Sequence, residues 1–250
     1  MDIKESLEEF KVIFSIPIFQ DKPLVIWGQE IRSIDINETV FISWVVMAVL
    51  IIASLALTRR LKEVPRGPQV ILEAMMEFLN NFSKDHFGRR AQTYGPFIGT
   101  IFLFLLLANI IPVLSPVGAF GQEPPFSIRP PTRDINLTAA MAILSILVVL
   151  VSGLKVRGIK GWCKNLLKPI PMMLPFNLLE YIIRPTSMCL RLFGNILGGF
   201  IIMLLIEGAA PIAVPPVVSL YFDFLDGFIQ ALVFTFLTTL FIAEAVEVEH

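Results

Sequence analysis

The segment CLRLFGNILGGF, residues 189–200, sets Arg191 and Asn195 inside one of the most apolar parts of the chain. An arginine keeps its proton in a protein, so Arg191 is a permanent charge where little water is expected. Stepped around a helix from Arg191, residues Glu180, Arg184, Ser187, Asn195 and Gly198 fall on or near its face through spacings of three and four. A second stripe runs through the last apolar segment. Ser219, Asp223 and Asp226 lie on or near the face of Gln230 toward one end, and Glu244 toward the other. Between Gln230 and Glu244 that face is apolar, with Phe234, Leu237 and Phe241.

These residue types can move an ion. Carboxylates relay protons or coordinate a cation. A guanidinium does neither: it repels a crossing cation and favours the charged form of a carboxylate brought to it. The pattern predicts two polar half-paths separated by a fixed positive charge. Glu180 and Arg184 lie near one end and can reach interfacial water. Some eleven residues, roughly 16 Å of helix rise, put Arg191 too deep for that, and a charge at such depth points to function. Nothing acidic lies at its depth in this chain, so the carboxylate it acts on must come from another subunit. Gly194, Gly198 and Gly199 thin the helix beside it and would let another helix pass closely. Glu207 falls on the opposite side and reads as a loop-edge residue.

The elements that must position these groups are membrane helices. Hydrophobic residues make up 55% of the 250 residues and charged residues 16%, against about 25% charged in soluble domains. A span needs about 20 mainly apolar residues. Residues 39–58, 94–114 and 135–154 qualify as ordinary spans, the second with Asn109 as its polar residue. Residues 176–207 and 217–246 are longer and more polar, and are expected as a tilted antiparallel hairpin joined by GAAPIAVPP, 208–216, with Gln230 and Arg191 at similar depth. Between the first two spans, residues 68–87 have apolar positions at three-four spacing, entered through Pro68 and left at Gly88. That predicts an amphipathic helix flat on the cytoplasmic membrane face. The expected fold is therefore all-α and polytopic, a single membrane domain over 1–250 with five membrane helices.

Loop charge orients it. Residues 59–92 carry seven Lys/Arg and 155–168 carry five with no acid, whereas the 113–133 loop carries only Arg129 and Arg133. The basic segments belong in the cytoplasm. The acidic segment 1–38, with eight Asp/Glu against four Lys/Arg, lies outside, and His250 inside. That segment lacks the basic opening of a signal peptide. The net charge of −1 gives no reason to expect nucleic acid. Cys163 and Cys189 are far apart and read as free thiols, and His86 as a solvated residue. No metal site or cofactor is expected. A secondary ion-coupled transporter would also place charges mid-membrane, but it usually shows an inverted repeat and broken helices in both halves, and neither is evident.

The motifs resemble the subunit a family of bacterial F-type ATP synthases over nearly the whole chain. RLFGN, 191–195, matches that family's signature, with Arg191 at its essential arginine. PPTRDINLTAAMA, FLLLANIIP with Asn109, RRLKEVPRGPQ and Gln230 match further segments in order. The resemblance implies a rotary-motor stator of the plasma membrane with no catalytic chemistry of its own. It implies a ring of c subunits as partner, with the b-subunit peripheral stalk, the soluble catalytic head and membrane lipids. It implies hydrogen or sodium ion transport through two half-channels that drives ATP synthesis. Glu180 and Glu244 are then expected on the cytoplasmic side, and Asp223 and Asp226 at the outer entry. Asn195 and Gln230 border the level of Arg191. Some relatives carry glutamate where this chain has Phe200 and histidine where it has Asp223, so the outer route must be assembled differently here.

Overall fold

A computed structural model describes residues 12–16, 24–26, 29–31, 34–59, 67–111, 130–166, 172, 174–209, 218 and 220–247, with side chains from Asn37 onward apart from a few, Phe200, Glu207 and Asp223 among them. Much of the expected outside loop and of the 208–216 turn, together with Lys168, lies outside the described residues. Among the described residues, five helices are long and apolar enough to cross a membrane, and the membrane-crossing part is all-α, as the apolar runs predict.

The segment before the first span carries short strands ahead of this all-α membrane part. Strands β1 (Val12–Ile16) and β4 (Ile34–Asn37) pair antiparallel, and β2 (Leu24–Ile26) and β3 (Gln29–Ile31) pair antiparallel within the sequence they enclose. Runs such as VIFSI are short, β-branched and aromatic, a composition that favours strands. β4 leads directly into helix α1 (Glu38–Thr58).

α1 buries a narrow stripe at its start, Thr39, Ile42, Ser43 and Val46, spaced three and four apart. Its second half, including Ile51 and Ile52, is exposed. In a soluble protein that surface would be costly; against hydrocarbon it is already solvated.

Helix α2 (Pro68–Phe87) starts with proline in its first turn and ends at Gly88, whose φ of 52° admits a residue without Cβ most readily. A short 3₁₀ turn, Gly88–Arg90, leads into α3 (Ala91–Ile110). α2 folds back along α3 instead of meeting it only at the junction. Phe87 packs on Tyr94 and Phe78 on Phe102, and a Cβ added to Gly95 or Gly99 would touch Ser83 or Leu79. Numbers fall on α2 as they rise on α3, so the two helices are antiparallel. His86 is not simply solvated. It is half-buried, and its ring lies 4.6 Å from that of Phe82 and 5.7 Å from that of Phe236.

α4 (Ile135–Leu166) runs well past the expected end at 154 and bends at Gly158, where φ is 69° and ψ 165°. Asp134 caps its start, accepting from the Asn136 amide at 2.9 Å. α5 (Leu174–Ala209) is one long helix that includes Pro185. Asn177 near its start donates to the Leu166 carbonyl at 2.8 Å and ties it to the end of α4. The last segment is not one regular helix. A π-helical turn, Leu220–Asp226, precedes α6 (Gly227–Val246).

The core lies where α3, α4, α5 and α6 meet. Leu105, Phe102, Ala142, Met188, Leu192 and Phe234 form one buried cluster, and Ile98, Val149 and Ile242 belong to a second. Small and hydroxyl residues let α4 and α6 approach closely, as in other membrane bundles. A Cβ on Gly153 would meet that of Ala245 at 3.6 Å, and buried Thr238 donates to Ser145 at 3.3 Å. Cys189 is buried beside Thr138 and Cys163 is exposed; both are free thiols.

Candidate ion path on the last two long helices

Two polar clusters join α5 to α6, and Arg191 lies between them. In the first, near the start of α5 and the end of α6, Arg184 bridges two carboxylates. It meets Glu180 at 2.6 Å one turn earlier on its own helix, and Glu244 at 2.9 Å through one nitrogen and 3.0 Å through another. Its guanidinium carbon sits 4.7 Å from the centroid of the Phe241 ring, a cation–π contact. The Arg184 side chain is 20% exposed, and those of Glu180 and Glu244 are 55% and 61% exposed. The carboxylates thus face an open region while the arginine is held against the bundle.

In the second cluster Asn195 reaches across. Its amide nitrogen donates to Asp226 at 2.8 Å and to Gln230 at 3.3 Å. Gln230 is buried at 4% exposure, so this bond satisfies an amide oxygen that would otherwise be costly inside the bundle. Contact numbers fall on α6 as they rise on α5, which makes the pair antiparallel as the hairpin reading expects.

Arg191 itself is exposed and, among the described residues, has no hydrogen-bond or ion-pair partner. Its level on α6 falls between the contacts of Gln230 and Glu244, along the apolar face of Phe234, Leu237 and Phe241. Gln230 is therefore level with Asn195, one turn beyond the arginine rather than opposite it. The residues flanking Arg191 on its open side carry no bulk. A Cβ added to Gly194 or Gly198 would find nothing within 4 Å. Gly199 differs: it is buried within the chain, so the open face consists of Gly194 and Gly198.

A π-helical turn borders the second cluster. Asp223 and Asp226 both lie on it. A π-helical turn is wider than an α-helical one, so the backbone of this segment departs from the regular α-helical stripe expected from the sequence. The Asp223 side chain lies outside the described residues, and so does that of Glu207.

Asn109 and Arg184, named in the sequence only as polar residues, take positioning roles in the structure. Buried Asn109 accepts from Thr132 at 2.6 Å and donates to the Gly227 carbonyl at 3.3 Å, which fixes the first residue of α6 just after Asp226. Gly227 has to be small there, because a Cβ would lie 2.9 Å from that of Asn109. Arg184 was visible only as one more polar residue on the stripe. The signal for its role was Glu180 four residues before it, an orientation that favours pairing on a helix.

The chain is similar to known proteins along most of its length. Residues 40–243 match the family model described as the ATP synthase A chain. The chain is 32% identical over 240 residues to the protein named "ATP synthase subunit a, sodium ion specific" from Propionigenium modestum, covering 93% of this chain and 83% of that protein. It is 32% identical over 213 residues to ATP synthase subunit a of Moorella thermoacetica, covering 85% of this chain and 92% of the other. The chain belongs to the ATP synthase A chain family, and is thus a multi-pass membrane, ion-translocating subunit of an F-type ATP synthase.

Proposed function

We propose that this chain supplies two offset half-channels to a rotating ring of c subunits, with Arg191 as the charge that keeps them apart. The carrying observation is an exposed arginine, unpaired among the described residues, set between two polar clusters on the same helix pair. Each ring carboxylate arriving neutral from one half-channel meets Arg191, gives up its proton or cation, and pairs transiently with the guanidinium. The apolar stretch of α6 beside the arginine keeps water from bridging the clusters. Gly194 and Gly198 leave room for the passing ring helix. Glu180 and Glu244 line the cytoplasmic half-channel. Asp223 and Asp226 form the outer one, with Asn195 and Gln230 at its inner end. The N-terminus is outside, and the peripheral stalk holds the chain still while the ring turns.

Arg191→Lys and Arg191→Ala test the reading. Both are expected to abolish ion-driven ATP synthesis in vesicles while the complex still assembles with its ring. A lysine has one strongly hydrated point charge that can lose its proton in an apolar site, unlike the guanidinium. Near-native synthesis by the lysine variant, or purification of a chain that transports a solute with no ring attached, would rule the reading out.

A further inference from the structure

The carbonyl end of α6 is gripped by arginines from two other helices. Arg157 of α4 donates through one nitrogen to the carbonyls of Glu244 at 3.0 Å and Glu247 at 2.5 Å. Arg90, the residue before α3, donates to the carbonyl of Val246. A helix ends with carbonyls that have no partner within it and with the negative end of its dipole, and both features attract a cation. Among the described residues, the Glu247 amide, donating to Ala243 at 2.9 Å, closes the turn from within. The helices are close at this point, since a Cβ on Gly153 would lie 3.7 Å from the Ala245 carbonyl. The break at Gly158 follows directly, so Arg157 is the last residue before the chain turns off. Its Nε is buried and, among the described residues, lacks a partner, which is unlike an arginine reaching freely into water.

Glu244 is therefore held at two points. Arg157 takes its backbone oxygen and Arg184 takes its carboxylate. The sequence Arg157–Glu244–Arg184–Glu180 connects α4 just before its bend, the end of α6 and the first part of α5 by hydrogen bonds.

We propose that Arg90 and Arg157 form a clamp on the carbonyl end of α6, and that this clamp sets where the Glu244 carboxylate stands at the mouth of the ion path. The ion-path half of this inference rests on the function proposed above; the clamp itself does not. Arg90 and Arg157 are positioning residues, which act through Glu244 and do not touch the ion.

The test uses the intact complex in vesicles with Arg157→Gln, Arg90→Gln, the pair together, and Arg157→Lys. Amide hydrogen exchange over 243–247 reads the clamp. It is expected to speed up about tenfold or more in the pair variant and less in Arg157→Lys. Ion-driven ATP synthesis reads the consequence. Arg157→Gln is expected to slow it about fivefold, but to add nothing in a Glu244→Gln background, because a residue acting through Glu244 has no effect once that carboxylate is gone. Unchanged exchange in the pair variant overturns the clamp, whatever the rates do. Faster exchange with unchanged synthesis, or losses that multiply with Glu244→Gln, overturns the positioning role. If Glu180→Gln and Glu244→Gln together leave synthesis unchanged, the cytoplasmic path proposed above is wrong and the clamp is purely structural. Should the glutamine variants fail to assemble, Arg157→Lys, which keeps the charge and loses the fork, decides by the same two measurements.

Discussion

Arg184 takes the carboxylate of Glu244, 60 residues away in sequence, with two guanidinium nitrogens at 2.9 and 3.0 Å, and also pairs with Glu180 at 2.6 Å. A permanent cation therefore stands between two exposed carboxylates at one end of the α5–α6 pair. In water such pairs contribute about 1 kcal/mol or less, so this cluster is not what holds the bundle together. Its effect is to place two negative groups, each with oxygens still open to solvent, around one fixed positive charge.

Replacing Arg184 by glutamine should accordingly leave assembly intact. It should slow ion-driven ATP synthesis by about fivefold, equivalent to ~1 kcal/mol, because Glu180 and Glu244 lose the charge that keeps them in place. Arg184→Lys should retain part of the rate. Thermal unfolding of the detergent-solubilised complex separates the two effects: a large drop in melting temperature would make Arg184 a structural residue instead.

Asp226 allows charge and structure to be separated. An asparagine in its place still offers an oxygen to the Asn195 amide, so Asp226→Asn should preserve the contact and the stability within about 0.5 kcal/mol. Coupled synthesis should nevertheless fall about tenfold and change its dependence on external pH or sodium. Combining it with Asp223→Asn should deepen the loss. Unchanged rate and ion dependence in both single variants and the double would show that the outer path runs elsewhere.

Gly227 has no room for a side chain. Gly227→Ala should destabilise the assembled subunit by about 1–3 kcal/mol, since its Cβ would lie 2.9 Å from that of Asn109. Gly208→Ala, where nothing lies within 4 Å, serves as the control. Equal melting temperatures for the two would contradict the close approach of α3 and α6.

The open glycines should behave in the opposite way. Gly194→Leu and Gly198→Leu should insert into the membrane at normal levels, because a Cβ at either position has no atom of the described residues within 4 Å. ATP-driven ion pumping should nonetheless be lost, as the bulk would obstruct a passing ring helix. Full pumping by both variants would mean the ring passes a different face.

The native thiols report the orientation. Cys163 is exposed and Cys189 buried. A membrane-impermeant thiol reagent should label Cys163 from the cytoplasmic side only and leave Cys189 unmodified. Labelling of Cys163 from outside would invert the assignment of the half-channels.

Much of this was legible in one dimension. The five apolar stretches, the helix breaks around Pro68 and Gly88, and the polar stripe through Glu180, Arg184, Arg191 and Asn195 all follow from run length and from the three-four period. Those signals are local, because a helix repeats its own geometry whatever it packs against. The sequence also identified Arg191 as the lone charge of its level, since that depends only on which residue types are present.

What only the tertiary structure decided is which groups meet. The pairing of Asn195 with Asp226 and Gln230, and of Arg184 with Glu244, depends on how far α5 and α6 slide past each other, and no spacing within either helix encodes that slide. The fold-back of α2 along α3 needs a turn at Gly88 and a matching groove, and an amphipathic pattern is equally compatible with a flat membrane surface. The π-helical turn at Leu220–Asp226 breaks the regular helix through a changed hydrogen-bond register, which residue types do not announce. The clamp of Arg90 and Arg157 engages backbone carbonyls, and because every residue carries one of those, their availability appears only when a helix end is brought beside an arginine.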